Sequence, residues 1–259
     1  MIAFGTFALL KINSMNYYDN DFAITVPMAN EEEGFDEFVT LVKKVFDKLG
    51  QGTAYFVIDN VSKDKTLEMS QELEAKDKRF KTVWAPENRN VVDAYMRGLR
   101  EAYNHNHDII IEMDAGLSHD PRAINMFIRV LNEGNECAFG SRFNNGGSMA
   151  DSPLFRRLLS KNGTRMTNLL LGTRMYDMTS GFQAFHREIV KQIIDYPFKS
   201  KAHFYQTEMR YLLRKKRYQE VPIHYRAPSK SVSKGAIKNA VLVLLYYFRK
   251  RLGFSAKYL

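Results

Sequence analysis

One cysteine, one tryptophan and no apolar run long enough to cross a bilayer set the first limits on this chain of 259 residues. With Cys137 alone, neither an intramolecular disulfide nor a cysteine-built metal cluster can form, and a reducing compartment, the cytoplasm, is the expected setting. The longest charge-free apolar stretch towards the far end, residues 240–248, falls well short of the roughly 20 residues that a spanning helix needs. Residues 1–10 are apolar but lack a basic leader and a small-residue cleavage site, so residues 1–21 are expected to form an N-terminal extension, not a signal peptide. Internal repeats and low-complexity tracts are also missing. What is present is ordinary for a folded protein: 45% hydrophobic and 26% charged residues, which excludes a wholly disordered chain.

The net charge of +9 is unevenly placed. Residues 201–259 hold 14 basic and 2 acidic side chains, a net of +12, which leaves 24 basic against 27 acidic in residues 1–200. That split points to an anionic partner met by one end of the chain and argues against a global nucleic-acid coat.

Residues 22–26 form a β-rich run that Pro27 is expected to stop. Asn30 and Glu33 have capping-box spacing, and Phe35, Phe38, Val42, Val45, Phe46 and Leu49 then recur at helical spacing until Gly50. Apolar runs at 55–58, 81–84 and 108–113 read as further strands, with helices over 66–73 and 91–103 between them. Alternating strands and helices predict an α/β fold, a mostly parallel sheet covered on both faces. Ligands of such sheets bind beyond the carboxyl ends of the strands. Three of the four runs end there on polar residues: Asn30 and Glu31, Asp59 and Asn60, and Asp114. Composition shifts near Ser141, where an Asn/Gly/Ser-rich loop spans 144–148.

Residues 24–33 (ITVPMANEEE), 57–66 (VIDNVSKDKT) and 111–121 (IEMDAGLSHDP) resemble three signature segments of family 2 glycosyltransferases, most closely the dolichyl-phosphate mannose synthase branch. The resemblance continues in order through 139–143 (FGSRF), 155–161 (FRRLLSK), 177–183 (DMTSGFQ) and 205–209 (YQTEM), and covers residues 22 to about 235. It implies a GT-A (Rossmann-like) catalytic domain over 22–235 followed by a basic and apolar helix over 236–259. It also implies a nucleotide-sugar donor, GDP- or UDP-linked, a divalent cation, Mg²⁺ or Mn²⁺, and an inverting transfer.

By the same resemblance Pro27, Ala29, Glu31, Asp59 and Asp114 hold the nucleotide; a favourable charge in the first turn of a helix is the other reading of Glu31. Asp114 matches the first acid of the family's Asp-X-Asp motif, and hard oxygen ligands suit Mg²⁺ or Mn²⁺. Here the chain departs from the pattern: Gly116 stands at the second acid. The ion would then be completed by phosphate, water, the Ala115 carbonyl or Ser118, with His119 expected at a cap or on the surface, or the site has fallen silent.

Arg142, Arg156, Ser160 and Arg226 match positions that bind phosphates in the mannose synthase branch; a solvated helix face is the alternative for Arg156 and Arg157. A phosphate monoester, second pKa about 6, is already largely ionised near neutrality and needs cations, whereas a sugar hydroxyl needs a base. Asp177 and Glu208 are the remaining acids of interest. Asp177 either orients an arginine, acts as base on a hydroxyl acceptor, or makes a structural salt bridge. Ile237, Val241, Leu244, Leu245, Phe248 and Leu252 recur at helical spacing, followed by Arg249, Lys250 and Arg251. Such a helix lies on an anionic membrane surface, or packs on the catalytic domain or a second subunit. Nucleic acid is not expected, since no zinc-finger or RNA-recognition signature accompanies the basic run. The expectation is a peripheral enzyme of the cytoplasmic membrane face with a polyprenyl phosphate acceptor. The alternatives are a saccharide or lipid hydroxyl acceptor, or a catalytically silent nucleotide-sugar binder.

Overall fold

The computed structural model describes residues 20–226 and 233–254. The extension expected over 1–21 lies almost wholly outside the described residues.

Among the described residues seven strands form one sheet in the order β3-β2-β1-β4-β6-β5-β7: β1 Phe22–Met28, β2 Thr53–Ile58, β3 Phe80–Trp84, β4 Ile109–Glu112, β5 Cys137–Ser141, β6 Gln183–His186 and β7 Tyr218–Pro222. β6 alone runs against its neighbours, β4 and β5; the other pairings are parallel. This reversal matters for function. The residues that precede β6 arrive at the same sheet edge as those that follow β1, β2, β4 and β5, so one rim collects residues from distant parts of the chain.

Successive β4 side chains feed opposite cores, as strand geometry requires. Ile109 and Ile111 join Phe38, Phe46 and Phe127 under α1 (Phe35–Leu49) and α4 (Ile124–Asn132). Ile110 joins Tyr95, Leu99 and Val190 under α3 (Val91–Asn104) and α6 (Arg187–Ile193). α2 is Thr66–Lys76, α5 Leu154–Leu171 and α7 Phe204–Leu213.

Two local expectations are corrected. Pro27 does not stop β1, which continues to Met28. Pairing of β1 with β4 ends at Thr25 while pairing with β2 runs on, so the absent proline N–H falls where β4 makes no ladder bond. The Asn30 and Glu33 capping box does not form either: α1 starts after Gly34 with no side-chain cap. Asn30 instead adopts φ +59 and spends its side chain on the next loop, donating to the Val61 carbonyl and accepting from Lys63 N–H.

The last helix, α8 (Lys234–Arg251), is capped by Ser233, whose hydroxyl accepts from Ala236 N–H. Val243, Leu244 and Tyr247 bury against Leu171 of α5 and Tyr211 of α7, so this helix packs on the sheet domain. Its other face leaves Ile237, Val241 and Leu245 exposed, with Leu252 and Phe254 beyond. Among the described residues no helix is long and apolar enough to cross a membrane.

Candidate active site

The rim beyond β1 and β2 is zipped together by short polar contacts. Glu31 N–H donates to Thr66 Oγ1 at 2.9 Å, and Glu32 N–H to Asp64 Oδ2 at 2.9 Å. Asp59, nearly buried, closes its own turn by accepting from Val61 N–H at 2.9 Å, and Asn60 donates to the Pro86 carbonyl. Pro27, Ala29, Glu31 and Asp59 thus lie along the ends of two adjacent parallel strands, with Met28 in register with Ile58.

Beyond β4 the chain turns sharply through Gly116 (φ +71) and Leu117 (φ +61), both left-handed, so that His119 folds back under Asp114. His119 Nδ1 accepts the Asp114 N–H at 3.2 Å, which puts the ring proton on Nε2, and burial lowers its pKa and keeps it neutral. The expected cap or surface position is therefore wrong. His119 is 1% exposed, against the Phe182 ring at 5.1 Å, and it clamps the loop. The Asp114 carboxylate, 31% exposed, accepts a short hydrogen bond from the Tyr95 hydroxyl. Gly181, just before β6, lets two groups close in: a β-carbon there would stand 3.0 Å from Asp114 Oδ1 and 2.8 Å from Gln206 Nε2.

A buried polar layer backs this corner. Tyr95 stacks on Tyr205 at 5.4 Å, and the Tyr205 hydroxyl donates to Glu112 at 2.7 Å. Burial pushes the Glu112 carboxyl up to about 8, against the opposing pull of hydrogen bonds from Tyr205 and Gln183. No group of three or more His, Cys, Asp or Glu converges as a metal cage among the described residues. A cation that retains waters and takes phosphate oxygens needs only one or two carboxylates, and the half-exposed Asp114, with the Ala115 and Ser118 turn beside it, fits that kind of ion.

Across the cleft, Arg142 grips Asp177 in a fork: Nε donates to Oδ2 at 2.7 Å and Nη2 to Oδ1 at 2.9 Å, with a further bond from Arg142 N–H. Burial alone would raise the Asp177 carboxyl; the guanidinium more than reverses this and holds it well below the usual carboxylate range. Arg210, wholly buried, donates to the carbonyls of Asp177, Ser180 and Gly140 and so fixes the loop that carries Asp177. Burial lowers its pKa to about 10, and it remains a cation at neutral pH.

Next to Arg142 opens a cavity of about 280 Å³ lined by Phe143, Met149, Leu154 and Leu158 together with Arg157 and Lys161. The expected pair Arg156 and Ser160 sits half-buried on the neighbouring face of α5 and does not line it. Arg226 reaches the Asp114 loop by main chain, donating to the Ser118 carbonyl at 3.2 Å, while its guanidinium stands 3.3 Å from Asp120.

Glu208 does not join the cleft cluster. Its carboxylate is buried, accepting from Lys199 N–H, Ser200 N–H and the Tyr247 hydroxyl of α8. Successive helical residues turn by 100°, so Gln206 and Glu208 face nearly opposite ways, and it is Gln206 that closes on Gly181 beside Asp114. Tyr95, Gln206 and Arg210 were not singled out from the sequence. Gln206 lay inside the 205–209 segment; Tyr95 and Arg210 carry no sequence signal beyond an amphipathic helix.

The profile of Glycosyl transferase family 2 matches residues 23–194. A dolichol-phosphate mannosyltransferase of Pyrococcus furiosus is 31% identical over 175 residues, 66% of this chain but 47% of its own length. The chain thus spans about half of that relative. A polyprenol monophosphomannose synthase of Mycolicibacterium smegmatis is 27% identical over 214 residues, 82% of this chain and 79% of that protein. Among solved structures, glucosyl-3-phosphoglycerate synthase from Mycobacterium tuberculosis, in complex with Mn²⁺, uridine diphosphate and phosphoglyceric acid, superposes with a TM-score of 0.63. It is 17% identical and covers 92% of this chain and 81% of that one, a likeness of fold.

Proposed function

Because the chain belongs to glycosyl transferase family 2, we propose that it carries a sugar from a GDP- or UDP-linked donor, with inversion, to a polyprenyl phosphate at the cytoplasmic membrane face. One observation carries the acceptor class: the cavity beside Arg142 joins two further cations, Arg157 and Lys161, to an apolar wall of Phe143, Met149, Leu154 and Leu158. Cations meet a phosphate, Arg best of all, and the apolar wall meets the first prenyl unit. The two relatives above are named for dolichol-phosphate and polyprenol monophosphate chemistry, which agrees with this reading.

The acids agree with it as well. Both Asp177 oxygens are occupied by Arg142, and Glu208 is tied beneath α8, so neither suits the base that a hydroxyl acceptor requires. An ionised phosphate needs none. Asp177 then acts as a positioning residue that sets the plane of the Arg142 guanidinium.

On the donor side, Asp59 and the turn through Pro27 and Ala29 accept the nucleoside, and Asp114, Ala115 and Ser118 would hold Mg²⁺ or Mn²⁺. The ion supplies charge neutralisation for the departing nucleotide diphosphate. Tyr95 fixes the Asp114 carboxylate, and His119 fixes its main chain. The exposed apolar residues of α5 (Leu154, Phe155, Leu158, Leu159) and of α8 (Ile237, Val241, Leu245), with Arg249, Lys250 and Arg251 ending α8, suit contact with an anionic bilayer surface.

Sugar release from GDP-mannose and UDP-glucose by the purified chain, with Mn²⁺, tests the assignment. Turnover is expected to rise on adding polyprenyl phosphate, with the sugar recovered on the lipid. Donor consumption that is equal without the lipid overturns it.

A further inference from the structure

The family pattern asks for an acid at 116, and the chain has glycine there. What fills the space is informative. A β-carbon built on Gly116 would stand 2.9 Å from Glu31 Oε2 and 3.5 Å from Oε1. The Glu31 carboxylate therefore occupies the volume in which a side chain at 116 would begin, and it reaches there from a different loop.

We propose that Glu31 supplies the second carboxylate of the cation and diphosphate site, in place of the acid missing at 116. The inference rests on the reading of the Asp114 loop as that site. Three features support it. Glu31 is delivered by a fixed turn: its N–H is held by Thr66 Oγ1, its carbonyl accepts from Gly34 N–H at 3.1 Å, and Asn30 beside it is bonded to residues 61–63. Mg²⁺ and Mn²⁺ take one or two carboxylates plus phosphate and water, so Asp114 and Glu31 suffice without a third acid. Finally, Gly116 at φ +71 leaves open the space that the Glu31 carboxylate now fills. Gly116 and Glu31 are then a matched pair, with the Glu31 carboxylate facing the cation site.

Mn²⁺ binding to the full chain, followed by the electron paramagnetic resonance signal of free Mn²⁺ with saturating UDP or GDP, tests this. Glu31→Gln and Asp114→Asn should each weaken Mn²⁺ binding about tenfold or more. Calorimetry of the same nucleotide in EDTA should show Glu31→Gln binding like the parent. If Asp114→Asn loses the ion while Glu31→Gln keeps it, or if Glu31→Gln loses nucleotide equally in EDTA, the inference falls and the site reading stands. If Asp114→Asn also binds Mn²⁺ like the parent, the site reading itself falls.

Discussion

Arg142 and Asp177 show how much of this cleft depends on single side chains. Both are buried, and each satisfies the other. Removing one member of such a pair strands the other charge, at a cost of about 3–5 kcal/mol. Asp177→Asn should therefore lower the free energy of unfolding by about that amount at neutral pH, measured by urea denaturation. Arg142 holds the folded-state pKa of Asp177 well below that of the unfolded chain. The pair's contribution is then complete above about pH 4 and lost as pH falls through the folded-state value. An acid titration of stability should show a steep loss in the parent that is shallower in Asp177→Asn. The residues legible in the sequence were those beside strand ends: Asp59, Asp114 and Glu31 need only the order of strands to be placed on the rim. Tyr95, Gln206 and Arg210 project from helices, and which helical face meets the cleft depends on packing that no local pattern records. The placing of Glu208 away from Asp114 has this origin, since two positions along a helix reverse a side chain's direction.

At the scale of elements, α8 packs one face on the sheet domain and leaves the other exposed. Val243, Leu244 and Tyr247 hold the protein side; Ile237, Val241 and Leu245 face outwards. Replacing those three outward residues with serine should reduce sedimentation with anionic vesicles severalfold and change stability by only about 0.5 kcal/mol per site. Tyr247→Phe should behave in the opposite way. It leaves the outer face intact but withdraws a donor from the buried Glu208, a loss of about 1–3 kcal/mol in unfolding free energy. The first four strands and the helices between them were readable because their apolar periods are clear. β6 was not: four residues, Gln183–His186, are too few to show a period, and nothing in them tells that the strand runs backwards. Yet that reversal is what brings Asp177 and Gly181 to the rim.

For the molecule as a whole, the charge asymmetry read at the start acquires a location. Of the net +12 in residues 201–259, Arg210 is sealed inside the fold, while Arg249, Lys250 and Arg251 end a helix with an exposed apolar flank. Arg251 also donates to the Leu169 and Leu170 carbonyls, closing the far end of α5. Association with vesicles should accordingly require anionic lipid and weaken as salt shortens the Debye length below about 10 Å. Cosedimentation across a sodium chloride series checks this, and binding that is indifferent to salt would assign the attraction to the apolar faces alone.

The bond from Tyr247 to Glu208 has one more consequence. Glu208 belongs to α7, and two residues before it on the same helix Gln206 closes on Gly181 beside Asp114. The exposed flank of α8 is thus tied through one buried hydrogen bond to the helix that carries Gln206, so a displacement of α8 is passed to α7.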